Sequence, residues 1–153
     1  LELDEAARVF GLSVVDIMGV IGIEAARLPN NRFDAHSLRE EPGFVSDEAT
    51  PNKVSPGLMQ TLISTFDDMQ GAVPLDPVEN LTRYDLFQPR RSILGGAAYM
   101  ANRYQKHPDR IKAFVAAYNA GGVYNDDNRW NLRTYSDTRI DRFIAFVNDA
   151  VAV

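Results

Sequence analysis

Glu24 is a carboxylate written into an apolar stripe. Around GVIGIEAARLPNN, residues 19–31, helical spacing puts Ile17, Val20, Ile21, Glu24 and Leu28 on one face, because positions three and four apart stack above one another on a helix. An acid there loses hydration, which disfavours its charged form. It is therefore expected to stay protonated near neutral pH and to act as a proton donor. The structural alternative is an acid in the last turn of a helix, paired with Arg27 or Arg32. The chain has no cysteine, so disulfide frameworks and thiolate zinc sites are excluded. His36 and His107 stand far apart without acids at ligand spacing, so no metal or cofactor is read. Any chemistry falls to carboxylates, amides and hydroxyls.

The elements that would position Glu24 follow from start and stop signals. Ser13 with Asp16 is a capping-box variant that predicts a helix from about residue 14 to Arg27, stopped by Pro29 and the Asn30-Asn31 turn. Residues 30–54 lose the helical rhythm and read as a long connection with room for a short helix or hairpin. Ser55-Pro56 predicts a second helix with the stripe Leu58, Met59, Leu62, Ile63, Phe66 and Met69, ended by Gly71. Asp76-Pro77 with Glu79 predicts a short helix to about Tyr84. Gln88-Pro89 opens another, in which Gly95-Gly96 costs about 1 kcal/mol each against Ala and so signals a very close neighbour. Pro108-Asp109 begins the next, ended at Asn119 to Gly122 by a left-handed cap. Residues 122–135 read as irregular, and a final helix is expected from about Asp137 to Ala150.

This pattern fits a mainly α fold in a single domain, residues 1–153. With 45% hydrophobic residues the chain can bury about 68–70% of the surface it exposes when unfolded. Its 16 basic and 21 acidic residues leave a net charge of -5, so no positive field gathers phosphate backbones and nucleic acid is excluded as a partner. No apolar run approaches the roughly 18 residues of a membrane span, and LELDEAARVF begins with acids where a secretory leader would be basic and then apolar.

Three stretches stand together in order: Glu24 in IGIEAAR, then Gly57-Leu58-Met59-Gln60, then Ala117-Tyr118-Asn119-Ala120-Gly121. They resemble the soluble lytic transglycosylase family of the lysozyme superfamily, in which a helix-borne Glu is followed by GLMQ and AYNAG. LFQPRRSILGGAAYM looks like the family's segment before its glycine-containing helix, and Thr138-Arg139 like its terminal motif. The resemblance implies a helical, lysozyme-like fold of the goose-type kind, whose groove binds peptidoglycan glycan strands. It implies cleavage of the β-1,4 bond between N-acetylmuramic acid and N-acetylglucosamine. By position, Glu24 is implied as the catalytic acid and base, Met59 and Gln60 as lining the sugar sites, and Tyr118 and Asn119 as bordering the groove. The implied product is a 1,6-anhydro sugar.

Each implied role has a plainer counterpart. Leu58 and Met59 read equally as core, Tyr118 as a core aromatic, Asn119 as a cap, and Arg90-Arg91 as a solvated face or a structural ion pair. A hydrolytic muramidase would need a second carboxylate, about 5–5.5 Å away in retaining or about 6.5–9.5 Å in inverting geometry. Asp47 and Glu48, in the long connection, are the candidates, against a reading as solvated loop acids. Three departures from the family pattern bear on substrate contacts and product. Ala25 replaces the common Ser, Ile63 a common Pro, and the interval from Glu24 to Gly57 is longer. A non-catalytic wall-binding or virion structural domain is the alternative from another class. The acidic balance favours a domain carried to the cell wall by a larger chain or a phage virion over a free periplasmic enzyme.

Overall fold

The Ser13 hydroxyl accepts a hydrogen bond from the Val15 N–H at 3.2 Å and starts α2 (Val14–Glu24), as its capping signal predicts. The helix stops at Glu24, short of Arg27, because Ala25 turns extended and the chain runs into a bridge between Arg27 and Phe33. The computed structural model describes residues 1–134, 136 and 138–152. Ahead of α2 lies α1 (Glu2–Phe10), which the sequence reading did not place. It carries acids in its first turn, where the helix dipole favours them, and closes on left-handed Gly11.

The expected helix from Ser55 is not formed. Val54–Pro56 is instead β2, paired antiparallel with β1 (Leu38–Glu40) so that Arg39 faces Ser55 and Leu38 faces Pro56. The Ser-Pro signal is local, and pairing with a distant strand overrides it. Gly57 at φ +88° and Gln60 at φ +50° then turn the chain through a left-handed pair of corners. Only from Ile63 does it wind into α3 (Ile63–Met69). The helix expected from Asp76 is also displaced. Gln70 clamps the backbone N–H and C=O of Val78 with its side-chain amide, so this stretch stays irregular. Winding waits for the capping box of Thr82 and Asp85 at the head of α4 (Arg83–Leu86).

Pro89 begins α5 (Pro89–Lys106) as predicted. Its glycine pair takes close neighbours: a Cβ at Gly95 would stand 2.1 Å from the Phe66 ring, and one at Gly96 2.5 Å from Met59 Cβ. The next segment is π-helical over Ile111–Ala117 and passes into α6 (Tyr118–Ala120), closed by Gly121 at φ +80°. Residues 122–134 are irregular. The final helix, α7 (Arg139–Ala152), begins near its expected start, and Asp137 itself lies outside the described residues.

Two apolar clusters organise these elements. The larger joins α1, α2, α5, the π-helical segment and α7 through Ile17, Val20, Leu94, Phe114 and Phe143. α7 lies along α2 because Gly19 and Gly22 leave room for it: a Cβ at either would meet the Phe143 or Phe146 ring at 2.6 Å and 2.7 Å. The smaller cluster, Val54, Ile63, Phe66, Leu81 and Leu86, sits beneath the hairpin and α4. Arg90 is a structural ion-pair member, 2.9 Å from Glu5 of α1.

Candidate active site

Glu24 reaches the groove because α2 ends there. Its carboxylate lines a cavity of about 390 Å³ together with Gln60, Tyr118 and Asn119. These are four of the five residues that the motif reading put on the glycan path, Met59 being the fifth, and the fold brings them to one place from three separate stretches. Arg39, Glu41 and Tyr99 line the same cavity and were not anticipated. The alternation Arg39-x-Glu41 is a strand signal that would have placed both on one face, had the hairpin been assigned to these residues.

Ser37 joins the two sides of this arrangement. Its hydroxyl accepts from the Ala26 N–H at 3.0 Å, two residues beyond Glu24, and its carbonyl accepts from the Gly57 N–H at 2.7 Å and from Gln60 Nε2 at 3.0 Å. One buried serine thereby fixes the end of the acid-bearing helix to the GLMQ turn. Gln60 also donates to the Gly57 carbonyl at 3.0 Å, so its amide nitrogen holds the turn that carries it. Gly57 is needed twice over: its φ is left-handed, and a Cβ would stand 2.2 Å from the Leu86 carbonyl.

Tyr118 donates its hydroxyl to the Met59 carbonyl at 2.6 Å and is buried. Burial first, then the neighbouring Tyr99, pushes the phenol well above its ordinary range, so it stays a neutral donor pinning α6 to the groove floor. Tyr99 packs its ring 5.2 Å from that of Tyr118, and Arg103 stacks on Tyr99 at 5.0 Å while donating to the Gly121 carbonyl at 2.6 Å. The wall near Asn119 is thus fixed by a layered aromatic and guanidinium stack. π-helical turns recur beside functional sites, and the one over Ile111–Ala117 sets the rotation at which Tyr118 and Asn119 present themselves.

Other expected positions fall elsewhere. Met59 is 0% exposed beneath Gly96, so its side chain is core and only its carbonyl serves the site. Asp47 and Glu48 line a separate cavity of about 260 Å³ with Asp67 and Glu79. Asp47 is engaged by Arg83, accepting from its backbone N–H at 2.8 Å and from its guanidinium at 3.1 Å. Burial pushes the Asp47 carboxyl up, but these hydrogen bonds and the Arg83 charge outweigh it and hold the acid below its ordinary range. The carboxylate that shares the groove with Glu24 is Glu41, itself 2.9 Å from Arg39 Nε.

The charge partner of Glu24 is neither Arg27 nor Arg32. Arg27 turns to Asn31 at 2.8 Å and stacks on Phe33. Arg139, the first residue of α7, forms an ion pair with Glu24, the two side chains only 4% and 10% exposed. Among the described residues, neither Arg139 Nε nor Nη2 has a hydrogen-bond partner, so the pairing is one of charge.

The family described as Transglycosylase SLT domain matches residues 37–142, well over half of the chain. The chain belongs to this family. The match takes in Gln60, Tyr118, Asn119 and Arg139 and begins beyond Glu24. No curated protein matches the chain. Membership in the SLT family assigns peptidoglycan as substrate, lytic transglycosylase activity in general, and action at the cell wall. The mainly helical architecture accords with a lysozyme-like SLT fold. Among the described residues, no single helix is long and apolar enough to cross a membrane.

Proposed function

We propose that this single domain cleaves the β-1,4 bond between N-acetylmuramic acid and N-acetylglucosamine, with Glu24 as its one acid and base and a 1,6-anhydro sugar as product. The observation that carries this reading is the convergence of Glu24, Gln60 and Asn119 on one open cavity. In the first step, the protonated Glu24 carboxyl gives its proton to the glycosidic oxygen as the C1–O bond breaks. The resulting carboxylate then takes the proton of the muramic acid C6 hydroxyl while O6 bonds to C1. Glu24 ends as it began, and no water is consumed. Gln60 and Asn119 bind the sugars on either side. We further place the domain outside the cytoplasmic membrane, carried to the wall by a longer chain or a virion assembly.

Mass spectrometry of muropeptides released from purified sacculi by the wild type and by Glu24→Gln tests the reading. Anhydro products should appear and fall by about 10²–10⁴ in the variant, the range of a lost general acid. A second reading is favoured by one observation: Glu41 lines the same cavity as Glu24. Water-added products lost in both Glu24→Gln and Glu41→Gln would establish a two-carboxylate muramidase instead. Binding to sacculi without release would establish a non-catalytic wall-binding or virion domain.

A further inference from the structure

Glu24 and Arg139 each stand at the helix end that electrostatics disfavours. Glu24 closes α2, where unpaired carbonyls already make the end negative, and Arg139 opens α7, where free N–H groups make it positive. Arg139 is buried and Glu24 nearly so, and a buried ion pair returns in attraction little more than it loses in hydration. Elsewhere the contact between α2 and α7 is apolar, with Gly19 and Gly22 against Phe143, Phe146 and Val147, so an apolar pair here would pack the helices at least as well. Stability does not account for two charges placed against their helix dipoles. Local rules broken together in this way mark sites where function decides the residue.

We infer that Arg139 is a positioning residue that holds the Glu24 carboxyl in place and favours its ionised form, and so sets the pH at which turnover fails. The inference rests on the reading of Glu24 as general acid. Among the described residues, the charged and titratable groups around the pair are Arg39 and Glu41 from the hairpin, Tyr99 from α5, Tyr118 from α6, and Arg142 on α7. Arg39 and Glu41 are engaged with each other, and both phenols are held neutral by burial. Burial, then the Arg142 charge, pushes the Arg139 guanidinium down to about 10. Contact with Glu24 acts the other way, so Arg139 stays charged wherever a carboxyl titrates. A general acid works only while protonated, and its activity falls as pH rises through its titration. A cation in contact moves that fall to lower pH, and removing the cation moves it up.

The test compares wild type, Arg139→Met and Arg139→Lys by the descending limb of the pH profile for sacculus cleavage, and by ¹³C NMR titration of the Glu24 carboxyl. In Arg139→Met both midpoints should rise by about 1–3 pH units, the reach of a single opposed charge, while Arg139→Lys stays close to wild type. Midpoints that do not move in Arg139→Met would overturn the inference and leave Arg139 a structural residue. Should Arg139→Met not fold, the double variant Glu24→Gln with Arg139→Met decides, because it removes both charges. A double variant that folds supports the pairing, and one that also fails to fold overturns it. Activity retained in Glu24→Gln would sink the catalytic reading, and with it the inference, even if the NMR midpoint still followed Arg139.

Discussion

Gln60 combines two roles that sequence alone keeps apart. It lines the groove, and its amide nitrogen closes the GLMQ turn on the carbonyls of Ser37 and Gly57. Gln60→Ala is therefore expected to lower stability by about 1–3 kcal/mol, since two carbonyls each lose one of two donors. It should also raise KM, which calorimetry and sacculus kinetics on one preparation would show. A fall in kcat/KM with no change in Tm would restrict Gln60 to substrate contact. At this scale the motifs named four residues that share one cavity, Glu24, Gln60, Tyr118 and Asn119, and one, Met59, whose side chain lies in the core instead. The sequence was blind to partners: Arg139 comes from the last helix, and Ser37 and Glu41 from a hairpin whose pairing leaves no local trace.

The elements show the same divide between local and distant causes. Helix α5 was legible because Pro89 and its apolar spacing act within a few residues, and the Gly95-Gly96 pair announced the close approach of Phe66 and Met59. Ser55-Pro56 misled because β1 claims those residues from outside the window in which a start signal is read. The glycine pair yields a prediction whose sign depends on magnitude. Gly→Ala in a helix gains about 1 kcal/mol in propensity, whereas overpacking costs about 1–3 kcal/mol. Gly95→Ala drives a Cβ into the fully buried Phe66 ring, and Gly96→Ala drives one into Met59 beneath the groove. Both variants should melt below wild type in differential scanning calorimetry. A rise in Tm for either would mean that its neighbour yields freely.

Across the whole molecule, the groove lies where the hairpin with its small cluster meets the larger helical core. Asp47 and Arg83 clasp the long connection to α4 on the hairpin side. Because the Asp47 carboxyl is held below its ordinary range, its contribution is present above the unfolded carboxylate value of 3.8 and is lost as pH falls through the lower folded value. Amide protection factors in residues 38–56 should therefore fall on acidification below about pH 4, ahead of those in α2 and α5. In Arg83→Met that pH dependence should largely vanish. Equal acid sensitivity in variant and wild type would show that the clasp is not the responsive element.

The contact between α2 and α7 has a temporal meaning as well. Glu24 leaves the ribosome early and Arg139 late, and the face of α2 that carries Gly19 and Gly22 has no cover until Phe143 and Phe146 arrive. A nascent or clipped chain lacking α7 carries the acid without its counter-charge and shows an apolar stripe to its surroundings. Such a chain is a ready client for a chaperone, and on the proposed role of Glu24 synthesis must run well into α7 before any glycan can be cut.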